Sequence, residues 1–581
     1  MERPLPLRPE VLVPTAALAA MALALAWPTD SWVLDTDGYQ RLNRVVQLLE
    51  GGGWYDAVFH RSNPPDGEVL HWTRPLDALL ALFALPLLPF VSAREALLWS
   101  SPVAILVQGW IGVAAFVWAL RPFVPSKSLG YAGLLFAVQP AIFGRAFMPN
   151  QPDHHGLLIL LFAFLLGAAL RIAAGKAMDR TAFLGGLAGG LSLWVSPETL
   201  APLAVFTGLA GLAWLREGRR ELARDMVLLW SGLTLAVAVS LPLERPPADL
   251  GAVEFDRLSL PHLGLAVAGT LGWFALARAP ALGTRGRIAL ALSLGGAAGL
   301  VLHLAFPGVL LGPLAMTDKW FAAIYNAATP ENLPLVSRSG FDAGPAAYAL
   351  GLPTAGLAIL AWRAVRQPTG PWGEFWVLLA LLPFAIMGAA MVRWAIYAEV
   401  LAAAVVLVAL GARLTDRPSV RGLVLLAAAM GPVLAGAVLD GLRWGTPPAR
   451  PFGCDVGPVL PILNGAFGER QRTILADGEG PRLLFDSPHR VVTIGFHRDA
   501  PRVMAIWRAL AAPDDGPLRI LARDRGAELL LICPGQDNPL APPAPPALAA
   551  RLADETPAWL WRIEIPGAGP RGYRLFEVRK P

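Results

Sequence analysis

The chain has 581 residues, of which 55% are hydrophobic and 16% charged, and its formal net charge is +5 at pH 7. Soluble domains carry about 25% charged residues, so this composition excludes an ordinary soluble protein and favours an integral membrane protein. The positive charge is spread over many loops without a long basic tract, which argues against a nucleic-acid partner.

Apolar segments recur along the chain at the lengths that a hydrocarbon layer of about 30 Å requires. We predict thirteen membrane-spanning helices, and we interpret the first as a retained helix rather than a cleaved signal peptide. The predicted spans are Val11–Trp27, Pro102–Leu120, Leu129–Phe147, Gly156–Leu170, Phe183–Val195, Leu200–Leu215, Val227–Leu243, Leu263–Leu276, Ile288–Phe306, Pro345–Leu360, Phe375–Met391, Trp394–Leu410 and Leu423–Leu439.

Short loops rich in Arg and Lys orient these helices, because such loops stay on the cytoplasmic side. The spans between basic loops then come in pairs, which places the N-terminus inside and residues 443–581 outside. Leu76–Val91 would break this parity and contains two prolines, so we predict a re-entrant or interfacial helix there. The expected location is a bacterial inner membrane, with the active site and the C-terminal domain on the periplasmic side.

The first predicted outer loop, residues 29–100, carries two aspartates soon after the first span, Asp35 and Asp37. Carboxylate oxygens are the usual ligands of Mg²⁺ or Mn²⁺, which in turn bind phosphate oxygens. An aspartate before a helix is also a common N-cap, so a structural role for either residue stays open. His71 and Arg74 are supporting candidates in the same loop.

The second predicted outer loop, residues 147–155, contains two adjacent histidines beside an aspartate. Asp153 and His155 are two residues apart, so they can face one point if the backbone is extended or turned, and His154 would then point elsewhere. Just before the loop, Arg145 offers a planar fork that can bind two phosphate oxygens, although it can also be a snorkelling arginine. A polar loop that only separates two helices is the alternative interpretation.

The third predicted outer loop, residues 307–344, is long and polar, as are many lids and substrate-binding loops. Glu331 is its best candidate for a functional carboxylate. At the outer end of a later span, Arg393 can bind a diphosphate or pair with Glu399. Parity places the candidates of all these segments on one face of the membrane: Asp37, Arg145, Asp153, His155, Glu331 and Arg393.

In these motifs the chain resembles the catalytic subunit of oligosaccharyltransferase, a membrane glycosyltransferase of the GT-C class, over about residues 10–440. The matching residues, in order, are Asp-Gly-Tyr at 37–39, Arg145 followed by Asp-His-His at 153–155, Glu331, and Arg-Trp-Ala-Ile-Tyr-Ala at 393–398. The histidine form of the second motif is similar to that of archaeal members. The family's Trp-Trp-Asp-Tyr-Gly motif is absent, and no adjacent Trp pair occurs.

The resemblance implies a GT-C fold of about 13 spans in residues 1–442. It implies metal-dependent transfer of a sugar or oligosaccharide from a polyprenyl-phosphate or -diphosphate donor to an acceptor on the outer face. The implied roles are Mn²⁺ or Mg²⁺ binding by Asp37, Asp153 and His155, acceptor orientation by Asp37 and Glu331, and donor-phosphate binding by Arg145 and Arg393, with Asp35 and His154 in support.

The acceptor stays open among a lipid, a polysaccharide and a protein, because the motif that reads a protein acceptor is absent. A transporter or flippase for a lipid-linked sugar is an alternative function, and it predicts charged groups at mid-membrane. Glu198, beside Pro197, is the nearest such candidate, and it fits an outer helix end equally well. A non-catalytic membrane scaffold is a third hypothesis.

Residues 443–581 are less apolar and alternate between short strand-like and helix-like segments, which predicts a small α/β domain. We predict strands at Leu483–Asp486 and Val491–Phe496 near its start. The chain's two cysteines, Cys454 and Cys533, both lie in this part. An exported domain would allow a disulfide between them, but we favour a reduced, buried pair.

Overall fold

The computed structural model describes residues 8–26, 33, 35–314, 317–337, 340–341, 343–366, 373–410, 418–441, 454–534, 538, 540, 547–567 and 572–579. Its first part is helical. The helices are α1 Pro9–Ala26, α2 Thr36–Leu49, α3 Arg74–Ala84, α4 Ala93–Leu120, α5 Ser126–Ala137, α6 His155–Ala173, α7 Asp179–Val195, α8 Leu200–Glu217, α9 Arg220–Glu244, α10 Leu260–Arg278, α11 Thr284–Ala305, α12 Lys319–Ala328, α13 Ala343–Arg366, α14 Phe375–Leu378, α15 Leu381–Ala390, α16 Ala395–Leu410 and α17 Pro418–Gly441.

Each of the thirteen predicted spans overlaps one of these helices, or the pair α14 and α15. Within the described ranges, eight helices are long and apolar enough to cross a membrane, by length and composition. The fold is therefore mostly helical with several apolar helices, and the number that cross a membrane stays a prediction. The segment predicted to be re-entrant or interfacial forms the short helix α3, followed by a 3₁₀ turn at Leu85–Leu87.

The predicted span Leu129–Phe147 is wrong as one continuous helix. Helix α5 ends at Ala137, and a separate π turn covers Ile142–Ala146. The break frees backbone N–H groups, which would be costly to bury without a partner. The fully buried carboxylate of Glu399 accepts hydrogen bonds from the N–H groups of Ala141 and Ile142, each at 3.0 Å. This contact bends the chain ahead of the second outer loop.

The C-terminal part, from Cys454, is an α/β domain built on a five-stranded sheet. The strand order is β6 (Arg490–Val491), β5 (Thr473–Ala476), β7 (Leu529–Ile532), β9 (Arg574–Val578) and β8 (Leu560–Ile563). The parallel pairs are β5 with β6 and β5 with β7, and the antiparallel pairs are β7 with β9 and β8 with β9. The two hairpins β1 Val58–Phe59 with β2 Glu68–Val69, and β3 Val336–Ser337 with β4 Gly340–Phe341, precede it. The domain's elements are α18 Leu460–Asn464, β5 Thr473–Ala476, α19 Gly480–Asp486, β6 Arg490–Val491, α20 Ala500–Ala511, α21 Gly516–Asp524, β7 Leu529–Ile532, α22 Leu548–Arg551, β8 Leu560–Ile563 and β9 Arg574–Val578.

Two predicted strands of this domain differ from the structure. Leu483–Asp486 lies in helix α19, because a short apolar run is ambiguous between helix and strand, and Pro481 near its start favours a helix. The strand predicted at Val491–Phe496 is reduced to Arg490–Val491. The strand β5, which pairs with both β6 and β7, was not predicted at all.

The predicted reduced cysteine pair is wrong, since Cys454 and Cys533 form a disulfide with their Cα atoms 5.6 Å apart. The bridge joins the first described residue of the domain to the residue that follows β7. It closes a loop of 79 residues in sequence. It therefore ties the start of the domain to the strand in the middle of the sheet.

Replacing both cysteines by serine is expected to lower the free energy of unfolding of this domain by about 3 to 5 kcal/mol, because the unfolded chain regains the freedom of a long loop. Thermal unfolding of the full chain, followed by a probe in the domain, measures the change. Reductant should reproduce the loss in the unmodified protein and leave the double variant unchanged. Equal unfolding temperatures for the two proteins would contradict this prediction.

The predicted first outer loop docks on the C-terminal domain through backbone carbonyl groups. Asn43 of α2 donates to the carbonyl of Pro481 at 2.8 Å. Arg61 donates to the carbonyls of Ser487 and His489, both at 2.6 Å. Because these contacts join residues about 400 positions apart, they fix the two parts of the molecule against each other.

A buried carboxyl pair lies at the same interface. Glu68, only 3% exposed, accepts from the hydroxyl of Ser62 at 2.6 Å and from the N–H of Ile494 at 3.2 Å. Asp499 of the C-terminal domain is 1% exposed and pairs with Arg502. Burial, reinforced by the negative charge of Asp499, raises the pKa of Glu68 to about 8.

The raised pKa of Glu68 predicts a loss of stability as pH rises. The folded protein keeps the proton on Glu68 up to about pH 8, whereas the unfolded chain releases it near pH 4.5, so stability falls across that window. Relative to Glu68→Gln, the wild type should lose about 2 to 4 kcal/mol between pH 5 and pH 8. Unfolding temperatures across this range test it, with the exposed Glu469→Gln as control. Parallel curves for wild type and Glu68→Gln would refute it.

Candidate functional site

Segments from the helical part and from the C-terminal domain enclose one cavity of about 730 Å³. The segments predicted to be outer loops contribute acidic, basic and imidazole groups, and the C-terminal domain contributes another part of the wall. The residues used below that line it are Asp35, Asp37, Arg145, Gln151, Asp153, His155, Tyr325, Thr329, Glu331, Asp477, Glu479, Trp507 and Tyr573. Five of the six main sequence candidates therefore meet in one space, and the sixth, Arg393, contacts Glu331.

Asp153, His154 and His155 form a compact group just before and at the start of α6. The Asp153 carboxylate lies 2.5 Å from Nδ1 of His154 and 2.6 Å from Nδ1 of His155. Candidate ligand atoms of the three residues lie within 4.8 Å of one another. His154 was predicted to point elsewhere, but its ring faces Asp153 because the chain turns at His154 before the helix begins.

The imidazole of His155 offers a free nitrogen. With Nδ1 held by Asp153, its Nε2 atom is buried and has no hydrogen-bond partner among the described residues. A buried polar atom without a partner is rare and calls for an explanation. A histidine that donates one ring nitrogen to a carboxylate and leaves the other open has the arrangement usual in metal ligands.

The two aspartates of the first outer loop have different surroundings. Asp35 is the N-cap of α2: it accepts from the N–H of Gly38 at 2.7 Å, and its other oxygen accepts from Gln151. Asp37 lies in the first turn of α2 and has no capping role. Burial, with the negative charges of Asp153 and other nearby carboxylates, holds the pKa of Asp37 well above its usual range. A cation at this position would relieve that repulsion.

Two arginines flank Glu331 in the third outer loop. Arg145 donates to Oε2 of Glu331 at 3.0 Å, and Arg393 lies 3.6 Å from Oε1. Arg393 also donates to Glu198 at 2.9 Å and to the side-chain oxygen of Asn332 at 3.2 Å. The alternative in which Arg393 pairs with Glu399 is therefore wrong, because Glu399 caps the break after α5.

His71 and Arg74 lie outside the cavity lining. The His71 ring is 4.4 Å from the His497 ring, beneath the C-terminal domain. Arg74 pairs with Asp77 at 3.0 Å and donates to the carbonyl of Trp54 at 2.7 Å. Both residues support the shape of the first outer loop and its contact with the C-terminal domain.

Sequence reasoning missed two groups of this site. Glu198 was weighed as a mid-membrane charge, but its side chain, 5% exposed, binds Arg393 at the start of α8. Tyr325 of α12 lines the cavity, and burial with the charges of Asp37 and Glu331 raises the pKa of its hydroxyl. The sequence signal available for Glu198 was the Ser-Pro-Glu motif just before α8. No motif in the neighbouring sequence points to Tyr325.

Neither a protein-family model nor a curated protein matches the sequence. Solved structures do match: the archaeal oligosaccharyltransferase AglB from Archaeoglobus fulgidus, in complex with an inhibitory peptide and a dolichol-phosphate, aligns with 90% of this chain and 69% of its own, at a TM-score of 0.64 and 14% identity. The same enzyme tethered to an acceptor peptide containing the NVT sequon covers the same shares, at a TM-score of 0.61 and 14% identity. Its complex with Zn and sulfate covers 90% and 67%, also at 0.61 and 14%.

The chain thus has the GT-C fold of a membrane oligosaccharyltransferase, as the motifs predicted. The matched structures are of the archaeal enzyme, and this chain carries a C-terminal sheet domain after its helical part. At this identity the likeness establishes the fold, and the chemistry has to be argued from the residues of the cavity.

Proposed function

We propose that this protein is a metal-dependent glycosyltransferase that moves a sugar or oligosaccharide from a polyprenyl-phosphate or -diphosphate donor to an acceptor on the outer face of a membrane. The observation that carries the proposal is the meeting of Asp37, Asp153, His155, Arg145 and Glu331 in one cavity. These residues come from three separate stretches of the chain, so their convergence is a property of the fold rather than of one local motif.

Asp37, Asp153 and His155 would hold the divalent metal. The unpartnered Nε2 of His155 and the crowded carboxylates around Asp37 fit a cation of this kind. Mn²⁺ and Mg²⁺ are the expected ions here. The archaeal enzyme was solved in complex with Zn and sulfate. When bound, such an ion stabilises negative charge on a departing phosphate.

Arg145 and Arg393 would bind the donor phosphates. Both guanidinium groups now share the single carboxylate of Glu331, and a diphosphate offers them more oxygens and more charge. Glu198 would keep Arg393 in place when the donor is bound, because it pairs with the same guanidinium group at 2.9 Å. The archaeal enzyme was solved with a dolichol-phosphate, which supports a lipid-linked donor here.

Glu331 and Asp37 would orient the acceptor, whose nucleophile must reach the donor's anomeric carbon from within the cavity. The C-terminal domain forms the wall opposite the metal ligands, so it contacts whatever enters from outside. The several apolar helices support placement in a membrane. The charge of the loops is our reason for placing the cavity on the periplasmic side of a bacterial inner membrane. A lipid, a polysaccharide or a protein is each compatible with that position.

The test uses the full chain in lipid nanodiscs with a polyprenyl-diphosphate-linked N-acetylglucosamine. Release of the sugar to water reports donor cleavage without knowledge of the acceptor. We expect cleavage in Mn²⁺ or Mg²⁺, loss of cleavage in EDTA, and recovery on adding back the ion. Metal-independent cleavage, or movement of intact donor across the membrane without cleavage, would reject the proposal. Comparison of envelope glycans and glycoproteins with and without the gene product would then identify the acceptor.

A further inference from the structure

The C-terminal wall of the cavity carries polar groups that donor chemistry does not use. Asp477 and Glu479 lie in the connection between β5 and α19, and Tyr573 precedes β9, so two chain segments bring them to one wall. Trp507 of α20 lines the same wall, and its ring stacks on Phe321 at 5.8 Å between centroids. None of them lies in the outer loops that hold the candidate metal ligands.

The hydroxyl of Tyr573 points to a ligand. The residue is 1% exposed, and within the part of the chain that the structure describes its oxygen has no hydrogen-bond partner. Burial, with the negative charges of Asp477 and Glu479, raises the pKa of Tyr573 well above its usual range, so the hydroxyl remains a donor at neutral pH. Buried hydroxyl groups normally have a partner, and this one faces a cavity large enough to supply it.

The neighbouring carboxylate of Asp477 is held in place. Its Oδ2 accepts from the N–H of Cys533 at 2.8 Å, and Cys533 is fixed in turn by the disulfide to Cys454. The disulfide therefore positions a carboxylate on the cavity wall as well as closing the domain. A rigid acceptor group beside a rigid donor group is suited to recognising a defined ligand.

We propose that Tyr573, Asp477 and Glu479 form an acceptor subsite that binds an uncharged, polyhydroxylated acceptor, that is, a carbohydrate. Sugar hydroxyls can donate to the two carboxylates and accept from the tyrosine, and a pyranose face can pack on the Trp507 ring. The two carboxylates disfavour an anionic acceptor. This inference rests on the proposed function, since it names the substrate class of the same cavity.

With the acceptor in this position, the transfer is a substitution at the donor's anomeric carbon. The acceptor hydroxyl oxygen forms a bond to the donor's anomeric carbon, and the bond from that carbon to the phosphate oxygen breaks. The hydroxyl proton passes to the carboxylate of Glu331. The polyprenyl phosphate or diphosphate leaves with the electron pair, between Arg145 and Arg393.

Binding to the full chain in nanodiscs tests the subsite without requiring turnover. The probes are neutral tetrasaccharides of glucose, mannose and N-acetylglucosamine, a tetragalacturonate as anionic sugar, and an Asn-Ala-Thr peptide. We expect saturation-transfer NMR to detect at least one neutral tetrasaccharide and neither other probe. Tyr573→Phe should weaken that binding about fivefold to tenfold through loss of one hydrogen bond. Tyr55→Phe, at an exposed tyrosine elsewhere, should leave it unchanged.

Asp477→Asn provides a second variant with nearly the same shape, and it should weaken neutral-sugar binding and admit tetragalacturonate. The inference is overturned if the wild type binds no neutral tetrasaccharide, or if both variants bind it as tightly as the wild type does. Peptide binding that depends on Tyr573 would also overturn it. Donor cleavage to water is measured in the same wild-type samples, and the control Tyr55→Phe should retain it. Failure of cleavage with intact sugar binding would reject the proposed function alone.

Discussion

Asp153→Asn is expected to lower donor cleavage by at least about a thousandfold, the scale associated with removing a central electrostatic group from an active site. The carboxylate contacts the ring nitrogens of both His154 and His155, so the amide disturbs both at once. It also removes one of the charges that would attract the cation. Cleavage rate and bound metal per chain, the latter by elemental mass spectrometry, should fall together.

Two comparisons separate this result from a general structural defect. Asp524→Asn makes the same change at an aspartate that is 56% exposed on the C-terminal domain, and it should retain wild-type activity. His155→Gln should resemble Asp153→Asn, because the open Nε2 is lost. His154→Gln should retain more activity if that ring only supports Asp153. Wild-type metal content and cleavage in Asp153→Asn would reject the metal site.

Arg393→Gln is expected to reduce kcat/KM for the donor by about a hundredfold to a thousandfold and to destabilise the fold by about 3 to 5 kcal/mol. The residue joins Glu198 to Glu331, and its removal leaves the buried Glu198 carboxylate without its ion pair. Initial-rate kinetics over a range of donor concentrations, with unfolding temperatures, measure the two effects.

Arg393→Lys keeps the charge but loses the planar fork, so it should restore stability more fully than activity. Arg285→Gln changes an exposed arginine in the first turn of α11 and serves as the matched control. Equal losses of activity in Arg393→Lys and Arg393→Gln would support the phosphate role. An unaltered KM and kcat in Arg393→Gln would contradict it.

Much of the helical part could be predicted because a membrane-spanning helix requires a long apolar segment, which is easily recognised in the sequence. Every predicted apolar segment overlaps a helix, since about 20 apolar residues in succession are rare for any other reason. The residues of the cavity could be predicted as a group for the opposite reason: Asp37, Asp153 and Glu331 are polar groups in segments beside apolar helices.

Pairings between distant residues were beyond this kind of reasoning. Glu399 was considered as a partner for Arg393 because the two are near in sequence, yet Arg393 pairs with Glu198, 195 positions away. The disulfide was missed because cysteine spacing does not reveal a redox environment. Helix α19 was missed because a run of three apolar residues fits either helix or strand. Each of these depends on packing that the local pattern does not encode.

The carboxylate of Glu399 shapes the bend before Arg145 from a position 258 residues further along the chain. At a synthesis rate of about 5 to 20 residues per second, about 10 to 50 s pass between synthesis of the bend and synthesis of Glu399, whose carboxylate accepts its hydrogen bonds. The proposed donor-binding loop is therefore among the last parts of the helical domain to take its final conformation during biogenesis. A nascent chain that stops before α16 would hold most of the helices and still lack a finished site.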